Sequence, residues 1–305
     1  MPRATRPRPP PRATRRRARR APAGRPPAPA PRRAPDVAAD APRADVGVFG
    51  GSGFYRFLDD VTEVEVETPY GPPASPVHVG TLGDRTVAFL PRHGADHQHA
   101  PHLIPYRANV WAMHALGVTN VFGPCASGSL QPEVAPGSFV VPDQLVDRTW
   151  GRPDSFFDGS LGGPVHHVAF GDPYDEALRR IAIDACRAEG VEVHDGGTVV
   201  TVQGPRFSTR AESRWYGSQG WEVINMTQHP EAVLCREAGI RYAAIALITD
   251  YDAGLEGTDI PTVTMEEVFA FFEANVETVR KVLFRALQAD LPAEPLDPGP
   301  GLERA

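Results

Sequence analysis

The sequence predicts an α/β fold, in which apolar strand-like runs alternate with amphipathic helices. Three observations carry that expectation. The apolar run 242–249 ends in two acids, Asp250 and Asp252, and the carboxyl ends of strands are where open α/β sheets line a ligand crevice. The apolar run 45–49 passes straight into Gly50-Gly51-Ser52-Gly53, a strand followed by a turn tight enough to bring N–H groups to an anion. Two later segments, 173–189 and the last long one, place apolar residues at helical spacing.

At 305 residues, 41% of them apolar, the chain suffices for one large α/β domain or two small ones, with a core that needs no staples. Charge is unevenly spread. Residues 1–43 hold thirteen of the thirty-one basic residues and two acids, about +11 net, which leaves about −18 for the rest of a chain at −7. This Pro-, Ala- and Arg-rich segment has no apolar periodicity and cannot bury enough surface to offset its ordering entropy, so 1–44 reads as a disordered basic tail. Its Arg15-Arg16-Arg17 and Arg19-Arg20 clusters suit nucleic acid, an anionic surface or a transit peptide. The plainer reading is a translation start placed too far upstream, in a chain whose single lysine is Lys281. No apolar stretch follows the arginines and no run is long enough to span a bilayer, so neither a secretory signal nor a membrane partner is expected. Cys125, Cys186 and Cys235, odd in number and widely spaced, point to a reducing, cytoplasmic compartment and to neither a disulfide framework nor a zinc site. The folded domain is expected over 45–291, followed by a loose Pro/Gly-rich tail over 292–305.

Along the domain, the first glycine loop is no dinucleotide fingerprint, because Arg56 stands where the third glycine would be; Ser52 adds a hydroxyl for an anion. Residues 61–67 alternate as a half-exposed strand, and 77–82 with 85–90 form a hairpin around Gly83-Asp84 that delivers Arg92-His93. The stretch RHGADHQHAPH then carries four histidines. Metal is the first hypothesis such a cluster raises, yet Gly94 and Pro101 interrupt it and Asp96 is the one acid nearby. An oxyanion site fits better: the Arg92 fork matches phosphate and His93 adds a donor beside it. His97, His99 and His102 fall to surface or supporting positions. Residues 105–116 form a helix with Tyr106, Val110, Met113 and Leu116 on one face. A short strand, 120–122, leads into the loop 123–130, whose small residues let a backbone approach a ligand. Neither Ser52 nor Ser127 sits in G-x-S-x-G, which argues against a nucleophilic serine.

Strand-like runs from Ser138 and a loop over 151–163 lead to His166-His167, a helix over 173–189 and strands over 191–193 and 197–202. Thr209 and Glu212 form a capping box, so Phe207 and Ser208 stand at a helix entrance where free N–H groups and an aromatic face suit a flat polar ring. A second capping box, Thr264 with Glu267, opens the last helix, with Val268, Phe272, Val276, Val279, Leu283 and Leu287 on one face. Core packing is the ordinary meaning of such a stripe.

GPRFSTRAES, INMT, PEAVLCREAGI and TDYDAG, with Gly50-Gly51-Ser52-Gly53 and the last helix, together resemble the methylthioadenosine phosphorylase branch of the trimeric purine nucleoside phosphorylases, over about 45–291. The resemblance implies a single domain with a mixed central β-sheet flanked by helices. It also implies a trimer whose sites borrow residues across interfaces, a nucleoside and phosphate as substrates, and no metal or organic cofactor. On this basis Ser52, Arg92, His93 and Thr227 hold phosphate, together with a threonine side chain and the next N–H at the places of Cys125 and Ala126. Cysteine for threonine is a departure: a thiol is a weaker donor, so the backbone, Ser127 or Ser129 takes that side. The resemblance further sets Met226 against the ribose and Phe207 with Ser208 against the ring. It places Val268 in the alkylthio pocket, and brings His167 to the neighbouring subunit's site near the nucleoside's 5′ end.

A basic, hydroxyl-bearing side and an acidic side in one pocket are what a nucleoside phosphorylase requires. Phosphate sits below C1′ while the base leaves through an oxocarbenium-like transition state, and the protein supplies position and charge. Asp250 is expected to face N7 and the exocyclic group as general acid, with Asp252 assisting on the same edge. A carboxylate accepts from a 6-amino group and repels a 6-keto group, and relatives that prefer 6-oxopurines typically carry Asn at this place. The expected reaction is phosphorolysis of 5′-methylthioadenosine to adenine and 5-methylthioribose 1-phosphate, in purine and methionine salvage. Three alternatives remain: a phosphorylase of broader specificity (adenosine, 5′-deoxyadenosine, methylthioinosine, inosine), a hydrolase on the same scaffold, and a non-enzymatic binder directed by the basic tail. Nucleic acid is not the expected partner.

Overall fold

The apolar run that leads to Asp250 forms β11 (Arg241–Asp250), paired in parallel along its length with β5 (Asn120–Ser129) at the centre of the sheet. The computed structural model describes residues 42–51, 58, 60–160, 165–254 and 262–302. Residues 1–41 of the basic tail, and Ser52 with Gly53, lie outside the described residues.

Eleven strands among the described residues make one mixed sheet. β1 (Val46–Gly50) lies parallel to β5, and β4 (Arg85–Pro91), β3 (Val77–Leu82) and β2 (Thr62–Val64) follow outward. On the other side of β5, β11 is followed by β6 (Phe139–Val141) and β8 (Val193–Asp195). β10 (Val223–Asn225) pairs antiparallel with the far end of β5, and β9 (Thr198–Val202) and β7 (Gln144–Arg148) continue from it.

This topology creates a gap. β11 occupies one side of β5, so β1 and β10 must share the other; β1 stops at Val48↔Phe122 and β10 begins at Ile224↔Gly128. Between them the edge of β5 has no strand beside it among the described residues, and the cleft described below opens there.

Period-two alternation assigns side chains to two faces. Val121 joins the core under α1 (Tyr106–Ala115) and α4 (Gln228–Glu237), while Phe122 joins the core under α2 (Glu176–Ala188) and α5 (Met265–Gln288). Phe272, Leu283 and Leu287 of α5 are fully buried, each stabilising by about 1.5–3 kcal/mol. Both expected capping boxes form. Thr209 accepts from the Glu212 N–H at 3.2 Å to start α3 (Arg210–Ser218), and Thr264 accepts from the Glu267 N–H at 3.3 Å to start α5.

Two expectations are corrected. The loop expected over 123–130 is largely strand, because β5 runs on to Ser129: its small residues have weak strand propensity, but pairing with β11 overrides that preference. The C-terminal segment expected to be loose is docked through Leu302. The Leu296 N–H donates to Gly239 O at 3.2 Å, the Gly299 N–H donates to Glu237 O at 2.8 Å, and Leu302 is buried. Apolar periodicity is silent about such a strap, whose contacts come mainly through its backbone.

Candidate active site

One cleft of about 950 Å³, counted to its open mouth, gathers the ends of β1, β4, β5, β10 and β11, the loop before α3 and the first turn of α5. Of the residues singled out by sequence, Arg92, His93, Cys125, Ala126 and Thr227 line it at one end. Phe207, Ser208, Met226, Val268, Asp250 and Asp252 line the rest. His167 is exposed and does not line it. Ser52 is outside the described residues, although its neighbour Gly51 lines the cleft.

Arg92 follows β4 and is 1% exposed. Its Nε and Nη2 donate to Glu231 at 2.7 and 2.8 Å and its Nη1 to Pro124 O at 2.9 Å. Burial works against the charge, but the Glu231 carboxylate outweighs it and holds the Arg92 pKa above its ordinary value. Glu231 also accepts from the Tyr242 hydroxyl at 2.7 Å. The guanidinium is thus locked in one orientation, with an N–H remaining on each of Nη1 and Nη2.

His93 differs from the sequence expectation. Its Nδ1 lies 2.9 Å from His99 O; a carbonyl can only accept, so Nδ1 carries the proton and Nε2 is a bare acceptor. Burial drives its pKa from 6.5 down to about 3. The ring stacks on His97 at 4.4 Å, and His97 abuts Phe269 of α5 at 5.4 Å.

At the gap in the sheet, Asn225 organises the floor. Its Oδ1 accepts from the N–H groups of Thr227 and Gln228 at 2.6 and 2.9 Å, and its Nδ2 donates to Ala126 O and Ser127 Oγ at 3.2 and 3.3 Å. Ala126 therefore turns its carbonyl to the gap, and in an extended strand the N–H of the same residue points the same way. Cys125 Sγ accepts from Gln228 Nε2 at 3.2 Å and lies 3.5 Å from Ser127 Oγ; burial raises its pKa, so it stays a thiol. Ser129 is spent elsewhere, its hydroxyl donating to Gln131 O at 2.7 Å.

The opposite end is acidic. The register of β11 against β5 shifts between Ile248 and Asp250, and such a bulge re-aims the side chains beyond it. Asp250 Oδ2 accepts from the Thr249 hydroxyl at 2.6 Å and Oδ1 from the Asp252 N–H at 2.7 Å; burial raises its pKa in spite of them. Asp252 has φ 48° and is 3% exposed. Burial lifts its pKa to about 6; the Ser213 and Ser208 hydroxyls oppose the rise and the Asp250 charge adds to it. Its Oδ2 has no hydrogen-bond partner among the described residues. Gly128 makes this crowding possible, since a Cβ there would stand 2.9 Å from Ile224 Cγ2 and 3.0 Å from Asp250 Oδ1. Met265, Val268 and Phe269 form an apolar wall on the first turn of α5.

Sequence reasoning gave no role to Glu231, Gln228, Tyr242 or Thr249. Glu231 was the most accessible of these: an acid in the first turn of α4, inside PEAVLCREAGI, on a helix whose other face has no reason to be apolar unless buried.

The sequence pattern of the Phosphorylase superfamily matches residues 45–288. The chain belongs to this family. Among its relatives in the family, S-methyl-5′-thioadenosine phosphorylase of Mycolicibacterium smegmatis is 58% identical over 247 residues, 80% of this chain and 90% of that one. A purine nucleoside phosphorylase of Streptomyces coelicolor is 53% identical, covering 82% and 90%. The solved structure of methylthioadenosine phosphorylase from Schistosoma mansoni in complex with adenine superposes with a TM-score of 0.75 at 36% identity, covering 80% and 91%. Membership explains the mixed sheet flanked by helices. No helix among the described residues is long and apolar enough to cross a membrane.

Proposed function

We propose that this enzyme cleaves 5′-methylthioadenosine by phosphorolysis, giving adenine and 5-methylthioribose 1-phosphate. One observation carries the reading: a single cleft has a locked cationic end at Arg92, a paired carboxylate end at Asp250 and Asp252, and an apolar wall at Met265, Val268 and Phe269. A relative at 58% identity that bears the same activity in its name supports it.

In this reading phosphate occupies the gap beside β5. The free N–H groups of Arg92 and the Ala126 N–H donate to it, the Thr227 hydroxyl joins them by turning from Asn225 Oδ1, to which it donates at 3.2 Å, and Ser52 completes the set. Cys125, held as an acceptor by Gln228, donates little; Ser127, 3.5 Å away and lining the cleft, supplies the hydroxyl in its place. His93 Nε2 accepts from a phosphate O–H, or takes up its proton as the anion binds. Met226 packs on the ribose, and Phe207 and Ser208 meet the base. As the C1′–N9 bond breaks, its electron pair passes into the purine, N7 takes a proton from the Asp250–Asp252 pair, and a phosphate oxygen bonds to C1′. Asp250, ionised, accepts from a 6-amino group, which excludes 6-oxopurines. The alkylthio group lies on the Val268 wall. Inorganic phosphate is a substrate, and no cofactor takes part.

The enzyme is proposed to work as a cytoplasmic trimer, with His167 of one protomer reaching the 5′ end of its neighbour's nucleoside. His167 lies outside its own cleft, and Trp150 and Val165 are 67% and 72% exposed, which supports a covered surface nearby. A broader purine specificity is the second reading, favoured by the name of the Streptomyces relative. Adenine release from 5′-methylthioadenosine, with adenosine and methylthioinosine in parallel, separates them: methylthioadenosine is expected to be the best substrate, and preference for methylthioinosine would sink the Asp250 argument.

A further inference from the structure

Arg152, in the loop after β7, is 7% exposed and stands behind the cleft wall. A guanidinium carries five N–H donors in a fixed fork, and here they meet six acceptors, one of them the Tyr106 hydroxyl at 3.3 Å from Nη1. Nη1 donates to Met226 O at 3.0 Å and His229 O at 2.6 Å, Nη2 to Val202 O at 3.2 Å and Gln203 O at 2.9 Å, and Nε to Gln203 Oε1 at 3.3 Å. Its flat face rests 5.6 Å from the ring centre of Tyr106.

The other five acceptors belong to two separate walls. Met226 and His229 flank Thr227, on the phosphate and ribose side. Val202 and Gln203 end β9 and lead into the loop that carries Phe207 and Ser208. The walls already touch: Gly204 has φ 61°, and a Cβ on it would stand 2.6 Å from Met226 Sδ. Asn225 pins the 226–229 segment from inside the cleft, and Arg152 pins it from outside.

We propose that Arg152 is a positioning residue whose fork fixes the spacing between the Met226–Thr227 wall and the Phe207–Ser208 wall, and so holds the nucleoside in line with the anion. It touches no substrate; its catalytic effect rests on the nucleoside reading of the cleft. Lysine keeps the charge, but its three donors radiate from one atom and cannot span both walls.

The test is Arg152→Lys and Arg152→Met in the full chain, followed by steady-state kinetics and amide hydrogen exchange. For Arg152→Lys, kcat is expected to fall about 30- to 100-fold, as misplacement near 1 Å does, with both KM values changed by less than about threefold. Arg152→Met falls further, so lysine restores part of the activity. Exchange is expected to rise together in 203–209 and 225–230 while β5 and β11 keep their protection. A lysine variant with kcat within about twofold of the parent, or exchange that rises uniformly, overturns the proposal. Should both Arg152 variants fail to fold, Gln203→Leu removes one acceptor of six and is expected to lower kcat by about threefold; no loss there counts against the tie. Parent protein without phosphate-dependent turnover would overturn the proposed function instead, while the exchange pattern would still report on the two walls.

Discussion

The two ends of the cleft are built on opposite electrostatic plans. At the Arg92 end the charge is paired beforehand: Arg92 is locked by Glu231, and Glu231 is held by Tyr242. At the Asp250 end the charges are crowded together, with Asp252 bent into a left-handed conformation beside Asp250 and one of its oxygens without a partner among the described residues. In the proposed reading an anion meets a fixed array at one end, whereas a leaving base meets groups whose protons are close to release at the other. Pairing gives a site that does not reorganise on binding; crowding gives one that can exchange a proton.

The largest effect should come from unpairing the phosphate end. Glu231→Ala leaves Arg92 charged and buried, and is expected to cost about 3–5 kcal/mol, read as a shift in the urea midpoint. A loss below about 1 kcal/mol would mean that water reaches the guanidinium and the array is not rigid.

At the base end, Asp250→Asn turns an acceptor into a group that also donates. The ratio of kcat/KM for methylthioadenosine to that for methylthioinosine is expected to fall by about 10²-fold or more, since sites built around one hydrogen-bond pattern discriminate by up to roughly 10⁴–10⁵. An unchanged ratio would remove Asp250 from base recognition.

The two ends should also titrate in opposite senses. His93 binds its proton at about 3 in the folded state against 6.5 unfolded, so the unfolded chain holds more protons between those values and His93 adds stability as pH rises through them. Asp252 runs the other way, from 3.8 unfolded to about 6 folded: its contribution falls as pH rises over that window. Asp252→Asn is therefore expected to gain about 3 kcal/mol on the parent above pH 6 and nothing below pH 4, measured by urea unfolding across pH. His93→Gln should gain relative to the parent only towards acid pH. Parallel pH profiles for parent and both variants would contradict the contrast.

Which parts of this were legible in the sequence follows from where the information lies. Glycine turns, capping boxes and apolar runs are local, and they placed β1, β4, β11, α3 and α5, with Arg92 and His93 after β4 and Asp250 and Asp252 at the end of β11. The head-on approach of β1 and β10 along one edge of β5 is long-range, so a strand looked like a loop there. The tautomer of His93 depends on a carbonyl six residues away, brought close only by the turn at Gly94. Glu231 left only the faint signal of an acid in the first turn of α4 and Arg152 left none, for the same reason: a buried charge declares its partner in three dimensions, and Arg152 finds its acceptors in three distant segments.

The smallest effect sharpens the phosphate end. Ser127→Ala is expected to raise the phosphate KM about tenfold, the worth of one hydrogen bond to an anion, and to leave the nucleoside KM unchanged. Cys125→Thr should lower the phosphate KM. If Ser127→Ala leaves it unchanged, the backbone of β5 carries that side alone.

The most direct measurement follows both products of methylthioadenosine cleavage at once, adenine by absorbance and the sugar by phosphorus NMR. The account predicts one 5-methylthioribose 1-phosphate for each adenine, with none released when phosphate is withheld. Adenine appearing with free methylthioribose and no phosphate consumed would contradict it, and would reassign the Arg92 end of the cleft.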